Sequence, residues 1–319
     1  MKKALLYMAY TVAYGFWWFV SLLPFSVLYA LSDVLYLLIS RVIRYRHRVI
    51  WHNLTTSFPE KTEAELREIE RKFYHWFCDY LVETLKLMTI KPAQIQRRMR
   101  FEGMEQLNRT LESGQSCAIY LGHYCNWEWM SSLPYWTPKQ IACCELYHPL
   151  ENEYFDRLFK FVRERHNSIC IPMRDALRKI VEFKNNNQTI VLGYIADQVP
   201  MWNNIYHWLD FLNHDTPVLT GAERIARKNN QACFYGDLRR IRRGYYVCEM
   251  KPITLTPNEM PQWGITDAYF RMLEQTIKRQ PELWLWSHNR WKRSHEDFDR
   301  EWEVRDGRVV KRKINPDTN

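Results

Sequence analysis

The chain is poor in glycine, with 10 in 319 residues, which weighs against a glycine-rich nucleotide loop. Its eight cysteines, at 78, 117, 125, 143, 144, 170, 233 and 248, form no C-x-x-C pair. That argues against a zinc ribbon or a thioredoxin-type site. H-E-x-x-H and G-x-S-x-G are both missing, so neither a zincin nor a serine lipase is indicated. The sequence has no internal repeat, no low-complexity stretch, and no zinc-finger or RNP-type aromatic motif.

What the chain does have is apolar and basic. Hydrophobic residues make up 46% and aromatics 15%, enough for a sizeable core and for a large apolar surface or interfacial belt. The net charge is +9, which suits anionic lipid, nucleic acid or an acidic protein as partner. Several cysteines sit inside apolar runs, as buried free thiols in a reducing compartment do.

Residues 4–23 carry no charge; as a helix they span roughly 30 Å, one hydrocarbon core. Pro24 interrupts the run, a second apolar stretch covers 25–39 with Asp33 as its one charge, and Arg41, Arg44, Arg46 and Arg48 follow. The run is too long for a cleaved signal peptide and lacks a small-residue cleavage site. A pair of spanning helices and a buried helical hairpin of a soluble protein remain alternatives. The preferred reading is an anchor over 1–40, with a spanning helix at 4–23 and an interfacial helix at 25–39, followed by a globular domain over 41–319. The arginines would then lie against anionic headgroups. Positive charge flanks both sides, so the unpaired cysteines rather than charge put the globular part in the cytosol.

Past residue 40 the pattern is globular. Residues 61–88 predict one helix, with Phe73, Trp76, Phe77, Tyr80, Leu81 and Leu85 at helical spacing and a Thr62–Glu65 capping box. From 117 strands alternate with helices. Strands are expected at 117–121, 140–146, 168–173, 189–195, 231–236 and 245–250, and helices from 127 and at 152–165, 175–184, 219–229 and 265–280. This order predicts an α/β domain with a mostly parallel central sheet flanked by helices, whose ligand site lies at the carboxyl ends of strands.

Gly122-His123 falls at such an end, within YLGHYCNWEW (120–129). His123 and Glu128 would stand roughly 140° apart on a continuous helix. They can pair only if His123 lies in the turn before a helix that Asn126 caps. The carboxylate would then fix the imidazole tautomer and leave the other nitrogen as general base. Alone, H-x-x-x-x-E is a common chance match, and a core histidine beside an unrelated glutamate fits it as well. Cys125 is a conceivable nucleophile with no other support.

HYCNWEW resembles the H-x-G-N-W-E block of the late lipid A acyltransferases, the lauroyl and myristoyl transferases of lipopolysaccharide assembly within the lysophospholipid acyltransferase-like superfamily. NLTTSFPEKTEAE (53–65), Glu83, YIADQVP (194–200), FLNHDTPVLTGAERIARKNNQACFYG (211–236) and LWLWSHNRWK (283–292) are similar to further blocks of that family, in the same order. The chain departs from the pattern at Cys125, where the family has a small residue, and near Asn213, where it has glycine. The resemblance implies a glycerolipid-acyltransferase-like domain behind a membrane helix. It also implies a His123–Glu128 dyad, acyl-ACP (or acyl-CoA) as co-substrate, and no cofactor or metal. The implied acceptor is a hydroxyl of a lipid A precursor at the cytoplasmic face of the inner membrane.

Other residues fit supporting roles. Arg174 after the third strand is a candidate phosphate ligand, and a solvated helix-start arginine fits equally well. Asp197 and Gln198 after the fourth strand are candidates for positioning the acceptor, or form a plain turn. Thr220 and Gly221 open a helix whose N–H groups suit an anion or oxyanion, or simply a cap. The clusters Arg239–Arg243 and Arg290–Arg293 suit anionic headgroups or an acyl carrier protein, and Trp202, Tyr206, Trp208 and Phe211 an interface, an acyl groove or the core. Expected partners are a membrane lipid acceptor, an acyl carrier protein and an anionic membrane surface, with no nucleic acid. The rival readings are an acyltransferase acting on a lysophospholipid, aminolipid or other glycolipid, a hydrolase using the same site, and a basic membrane-bound scaffold.

Overall fold

The computed structural model describes residues 2–312, with side-chain surroundings from Leu6 onward; Met1 of the expected anchor and residues 313–319 of the expected globular domain lie outside the described residues. Pro24 divides two apolar helices, α1 (Lys2–Leu22) and α2 (Phe25–Leu37), because it lacks an N–H and favours extended backbone, seen here as φ −65° and ψ 154°. A π-helical stretch, Leu38–Ile43, continues α2 to a left-handed Arg44. Among the described residues, the helix long and apolar enough to cross a membrane is Phe25–Ile43. The π-helical turns carry the second apolar stretch past residue 39 to that length. Both helices leave large apolar side chains exposed, among them Phe16, Phe19, Val34 and Val42.

Helices α3 (His47–Ser57) and α4 (Glu63–Lys86) follow. The Thr62–Glu65 capping box forms as its spacing predicts: Glu65 N donates to Thr62 Oγ1, and Thr62 N donates to Glu65 Oε2. The inner face of α4 buries Phe73, Trp76, Asp79 and Glu83. Trp17 Nε1 donates to Leu85 O at 2.9 Å, and Trp17 packs edge-on against Phe159, so α1 lies on the domain.

The domain is α/β. After α5 (Pro92–Arg98) come β1 (Met99–Glu102), α6 (Met104–Glu112), β2 (Cys117–Leu121), β3 (Ala142–Tyr147), α7 (Glu153–Glu164), β4 (Ile169–Pro172), α8 (Ala176–Asn185) and β5 (Ile190–Ile195). A hairpin, β6 (Trp208–Phe211) and β7 (His214–Pro217), precedes α9 (Gly221–Lys228), β8 (Ala232–Arg242), β9 (Tyr245–Thr254) and α10 (Gly264–Arg279). The chain then runs through α11 (His295–Glu301) to the hairpin β10 (Trp302–Arg305) and β11 (Arg308–Lys311). The central sheet has the order β1-β9-β8-β2-β5-β3-β4, parallel at every junction except β8–β9. β2 at its centre is buried at every position, as parallel strands covered on both faces are. Each predicted strand and helix from 117 onward is present within a few residues, except that β8 and β9 run longer. The segment expected as a helix from Trp127 is instead a 3₁₀ helix, Trp127–Tyr135, with Pro134 inside it.

Positive φ at Leu212 (52°) and Asn213 (63°) turns the β6–β7 hairpin. Both central residues of a type I′ turn need that conformation, and asparagine tolerates it. The chain therefore turns at Asn213 without a glycine.

Candidate active site

The parallel register brings two of the candidate residues together. Leu121 of β2 sits beside Ile195 of β5. Two residues beyond each, at the carboxyl ends, His123 meets Asp197: Nδ1 lies 2.6 Å from Oδ1, and the His123 N–H donates to Oδ2 at 2.8 Å. Gly122 makes room for this approach, since a Cβ there would stand 2.7 Å from Leu273 Cδ1 and 3.3 Å from Asp197 Oδ2. Trp284 Nε1 adds a third hydrogen bond to the same carboxylate at 2.8 Å.

Burial alone would raise the Asp197 carboxyl, but the facing imidazole and the hydrogen bonds from His123 and Trp284 outweigh it and hold it at about 2. An ionised carboxylate against Nδ1 puts the imidazole proton there and leaves the Nε2 lone pair free. The His123 side chain is 20% exposed against 2% for Asp197, so the free nitrogen can meet a substrate. The Gln198 amide lies 3.3 Å from Nε2. Asp197 and Gln198 therefore join the site, Asp197 as the residue that orients the base.

Glu128 does not take that role. Its carboxylate is held by Arg163 of α7, with Nε to Oε2 at 2.8 Å and Nη2 to Oε1 at 2.6 Å, and among the described residues no hydrogen bond joins it to His123. The reason is local geometry. Cys125 turns the chain at φ 53°, and Asn126 Oδ1 caps the following segment by accepting from Trp129 N at 3.2 Å. In a 3₁₀ helix successive side chains diverge by about 120°. Trp127 faces the imidazole, ring centroids 5.1 Å apart, and Glu128 points away to α7. Arg163 was not anticipated. Its signal was a charge placed four residues after Phe159 and eight after Phe155, which pack against the core.

Cys125 is fully buried and its thiol is pushed well above its ordinary value by burial, so it is no nucleophile. The need for positive φ explains why a small residue suits this position.

The closing segment is a second wall. Leu285 N donates to His123 O at 3.1 Å and Cys125 N to Leu283 O at 2.9 Å. Asn53 Nδ2 donates to Trp286 O and His288 O, each at 2.9 Å, and Arg46 Nη1 to Ser287 O at 2.7 Å. The stretch 46–53 thus clamps the segment that delivers Trp284 to Asp197.

The basic clusters are mostly engaged. Arg290 is fully buried, donates to Pro217 O at 2.8 Å, and is pulled down to about 10 by burial, against the opposing pull of Asp197. It cannot face headgroups as the sequence suggested. Arg293 donates to Pro200 O. Arg239 pairs with Glu102, Arg240 with Glu282, and Arg243 with Asp33 and Asp79. Trp202, Tyr206 and Trp208 pack on the Ile205–Phe298–Val309 cluster, and Phe211 is core.

The remaining expected site residues stand apart. Arg174 is 81% exposed beside Asp175, with no contact to the His123 cluster among the described residues. Thr220 is buried at the start of α9 with its hydroxyl unpartnered, Gly221 follows it, and neither is hydrogen-bonded to His123. A cleft of about 780 Å³ opens at the amino ends of β2, β5 and β8. Its lining, which includes Gln115, Lys184, Asn187 and Gln231, holds no histidine and no carboxylate.

Residues 1–293 match the family model described as bacterial lipid A biosynthesis acyltransferase. The chain is 25% identical over 287 residues to the lipid A biosynthesis lauroyltransferase of Escherichia coli (strain K12), covering 87% of this chain and 89% of that protein.

Proposed function

Because the chain belongs to the bacterial lipid A biosynthesis acyltransferase family, and is therefore an acyltransferase, we propose that it moves a fatty acyl chain from acyl-ACP to a hydroxyl of a lipid A precursor. The reaction takes place at the cytoplasmic face of the inner membrane. The observation that carries this reading is the His123 imidazole, locked at Nδ1 by buried Asp197, with Nε2 on its part-exposed side against the Gln198 amide.

In the proposed reaction the acceptor hydroxyl replaces Gln198 as the neighbour of Nε2. Its oxygen attacks the thioester carbonyl carbon while Nε2 takes its proton. The tetrahedral oxyanion collapses, the carbon–sulfur bond breaks, and the imidazolium returns the proton to the leaving thiolate. Asp197 stays ionised throughout and stabilises the transient imidazolium. No covalent enzyme intermediate arises, in keeping with the buried, unactivated Cys125. Thr220 and Gly221 at the start of α9 are proposed as anion ligands, and Arg174 as an outlying contact to headgroup phosphate.

A row of rings supports a lipid acceptor. From His123 it runs to Trp127, then Tyr80 (4.2 Å from Trp127), Phe77 (6.5 Å from Tyr80) and Tyr45 (5.7 Å from Phe77). Tyr45 is exposed and follows the apolar helix that ends at Ile43. Phe77 and Tyr80, half-buried between that helix and the buried Trp127 beside the base, suit an acyl chain drawn partly out of a bilayer.

The test is product mass after incubating protein in detergent with acyl-ACP and a tetra-acylated lipid A precursor. The expected result is a gain of one acyl chain that His123→Ala abolishes. Turnover with a lysophospholipid or aminolipid alone would overturn the acceptor, and no turnover with any lipid would overturn the reading.

A further inference from the structure

Glu83 lies beneath the catalytic turn with no exposure at all. Its carboxylate accepts three hydrogen bonds: from Asn126 Nδ2 at 2.6 Å, Tyr246 OH at 2.8 Å and Tyr29 OH at 2.8 Å. Its main-chain oxygen accepts a fourth from Trp129 Nε1 at 3.3 Å. Asn126 is the cap that shapes the turn between His123 and the 3₁₀ helix, Tyr246 belongs to β9, and Tyr29 to α2, the helix with membrane-crossing length. One buried carboxylate therefore joins the sheet, the apolar helix and the catalytic turn.

We infer that Glu83 is a positioning residue for His123 and that Tyr29 makes the docking of α2 part of catalytic competence, so that the apolar helix completes the site besides anchoring it. All three partners can donate, and the two oxygens of Glu83 take all three hydrogen bonds, which glutamine, with a single oxygen, cannot do without turning its amide against a donor. If α2 leaves its seat, Glu83, fully buried while α2 is docked, loses the Tyr29 hydrogen bond. The remaining partners must then reorganise, and the first free to move is Asn126, whose other end caps the catalytic segment. Arg243 reinforces the seat by binding Asp79 of α4, Asp33 of α2 and the Tyr29 carbonyl together.

The kinetic part of the test rests on the acyl-transfer reading, so a second readout does not. In full-length protein reconstituted in lipid nanodiscs, Glu83→Gln and Asn126→Asp are each expected to lower kcat by roughly 10- to 100-fold with KM within about threefold. Each breaks the donor–acceptor match. The double variant restores it with the roles exchanged, because the introduced amide can donate to the introduced carboxylate, and should recover most of kcat. Tyr29→Phe should lower kcat by roughly three- to tenfold, with no further loss in the Glu83→Gln background, since coupled residues are non-additive. Amide exchange of the segment 123–133 should rise in Tyr29→Phe whether or not any acceptor is turned over. The inference is overturned if the double variant is no better than the singles, or if Tyr29→Phe leaves exchange in 123–133 unchanged. If exchange responds while the wild-type protein acylates nothing, the substrate reading has failed and the coupling stands.

Discussion

His123 Nδ1 and Asp197 Oδ1 lie 2.6 Å apart across 74 residues of chain, joined by two neighbouring parallel strands in register. That contact separates two descriptions of the catalytic apparatus. With Asp197 as the orienting carboxylate, Asp197→Asn keeps the packing but offers Nδ1 a side chain that can present N–H instead of oxygen, favouring the wrong tautomer. A loss of roughly 10³- to 10⁴-fold in kcat with little change in KM is expected, on the scale of such substitutions in histidine-based sites. Steady-state kinetics of Asp197→Asn beside His123→Ala checks it; a loss under about tenfold would contradict the assignment.

Glu128 should behave as half of a buried ion pair. Removing one partner strands the other charge, with a cost of about 3–5 kcal/mol. Glu128→Gln and Arg163→Met are each expected to lower the apparent melting temperature sharply, while the double variant melts closer to wild type, short of it by what Glu145 loses when the nearby Arg163 charge is removed. Comparing melting and activity across the three proteins decides the role. A double variant that is stable yet catalytically dead would return Glu128 to the chemistry.

Most of the fold and half of the site were legible in the sequence. Strand β2 and the capped helix α4 follow from an apolar run and a Thr–x–x–Glu spacing. His123, Asp197 and Gln198 were each found as strand-end residues. Their pairing was not legible, because it depends on which strands are neighbours and in what register, a property of the assembled sheet. The partnership given to Glu128 failed on a local detail. The turn at Cys125 and the Asn126 cap form as the pairing required, but the capped segment is a 3₁₀ helix that contains Pro134, and it directs Glu128 to Arg163 instead of His123. Short strands such as β1 and β10 escaped because so few residues carry too little pattern. The buried state of Arg290 is likewise a tertiary fact.

Gly122 is a sharp test of the local packing. A methyl group at this position would meet Leu273 Cδ1 at 2.7 Å and press on Asp197 Oδ2. Gly122→Ala should cost about 1–3 kcal/mol of stability and lower activity as His123 is pushed away from Asp197. Leu273→Val in that background should recover part of both. Thermal melting and kcat of the single and double variants check this, and an unperturbed Gly122→Ala would mean that the pair tolerates a looser approach.

The ring row predicts a selective binding defect. Phe77→Ala shortens the half-exposed path between Tyr45 and Tyr80 without touching His123. For a long-chain acceptor KM should rise roughly tenfold, within the range a lost apolar contact yields, whereas an acceptor with truncated chains should be used as by wild type. Equal effects on both acceptors, or a changed preference for donor chain length, would remove the row from acceptor binding.

Two buried carboxylates predict opposite pH limbs of stability. Asp197 is held at about 2, below its ordinary value, so the folded state binds fewer protons there than the unfolded chain. Its contribution is complete above about pH 4 and is lost as pH falls towards about 2. Glu83 is raised to about 7 by burial and by nearby Asp79, against the opposing hydrogen bonds from Tyr29, Tyr246 and Asn126. Between about pH 4.5 and about pH 7 the folded state therefore holds a proton that the unfolded chain has released. The Glu83 contribution therefore falls as pH rises through that window, by up to about 3 kcal/mol for a shift of this size. Glu145, also raised to about 7 by burial, acts with the same sign, and His166, His214 and His288, each lowered to about 4 by burial, act with the opposite sign. The contribution is thus read as a difference between melting curves from about pH 3 to about pH 8: relative to wild type, Glu83→Gln should gain stability as pH rises from about 4.5 to about 7, and the acid limb should shrink in Asp197→Asn. A slope above about pH 4.5 that is identical in wild type and Glu83→Gln would mean that Glu83 stays ionised throughout, held by its three donors more firmly than burial opposes them.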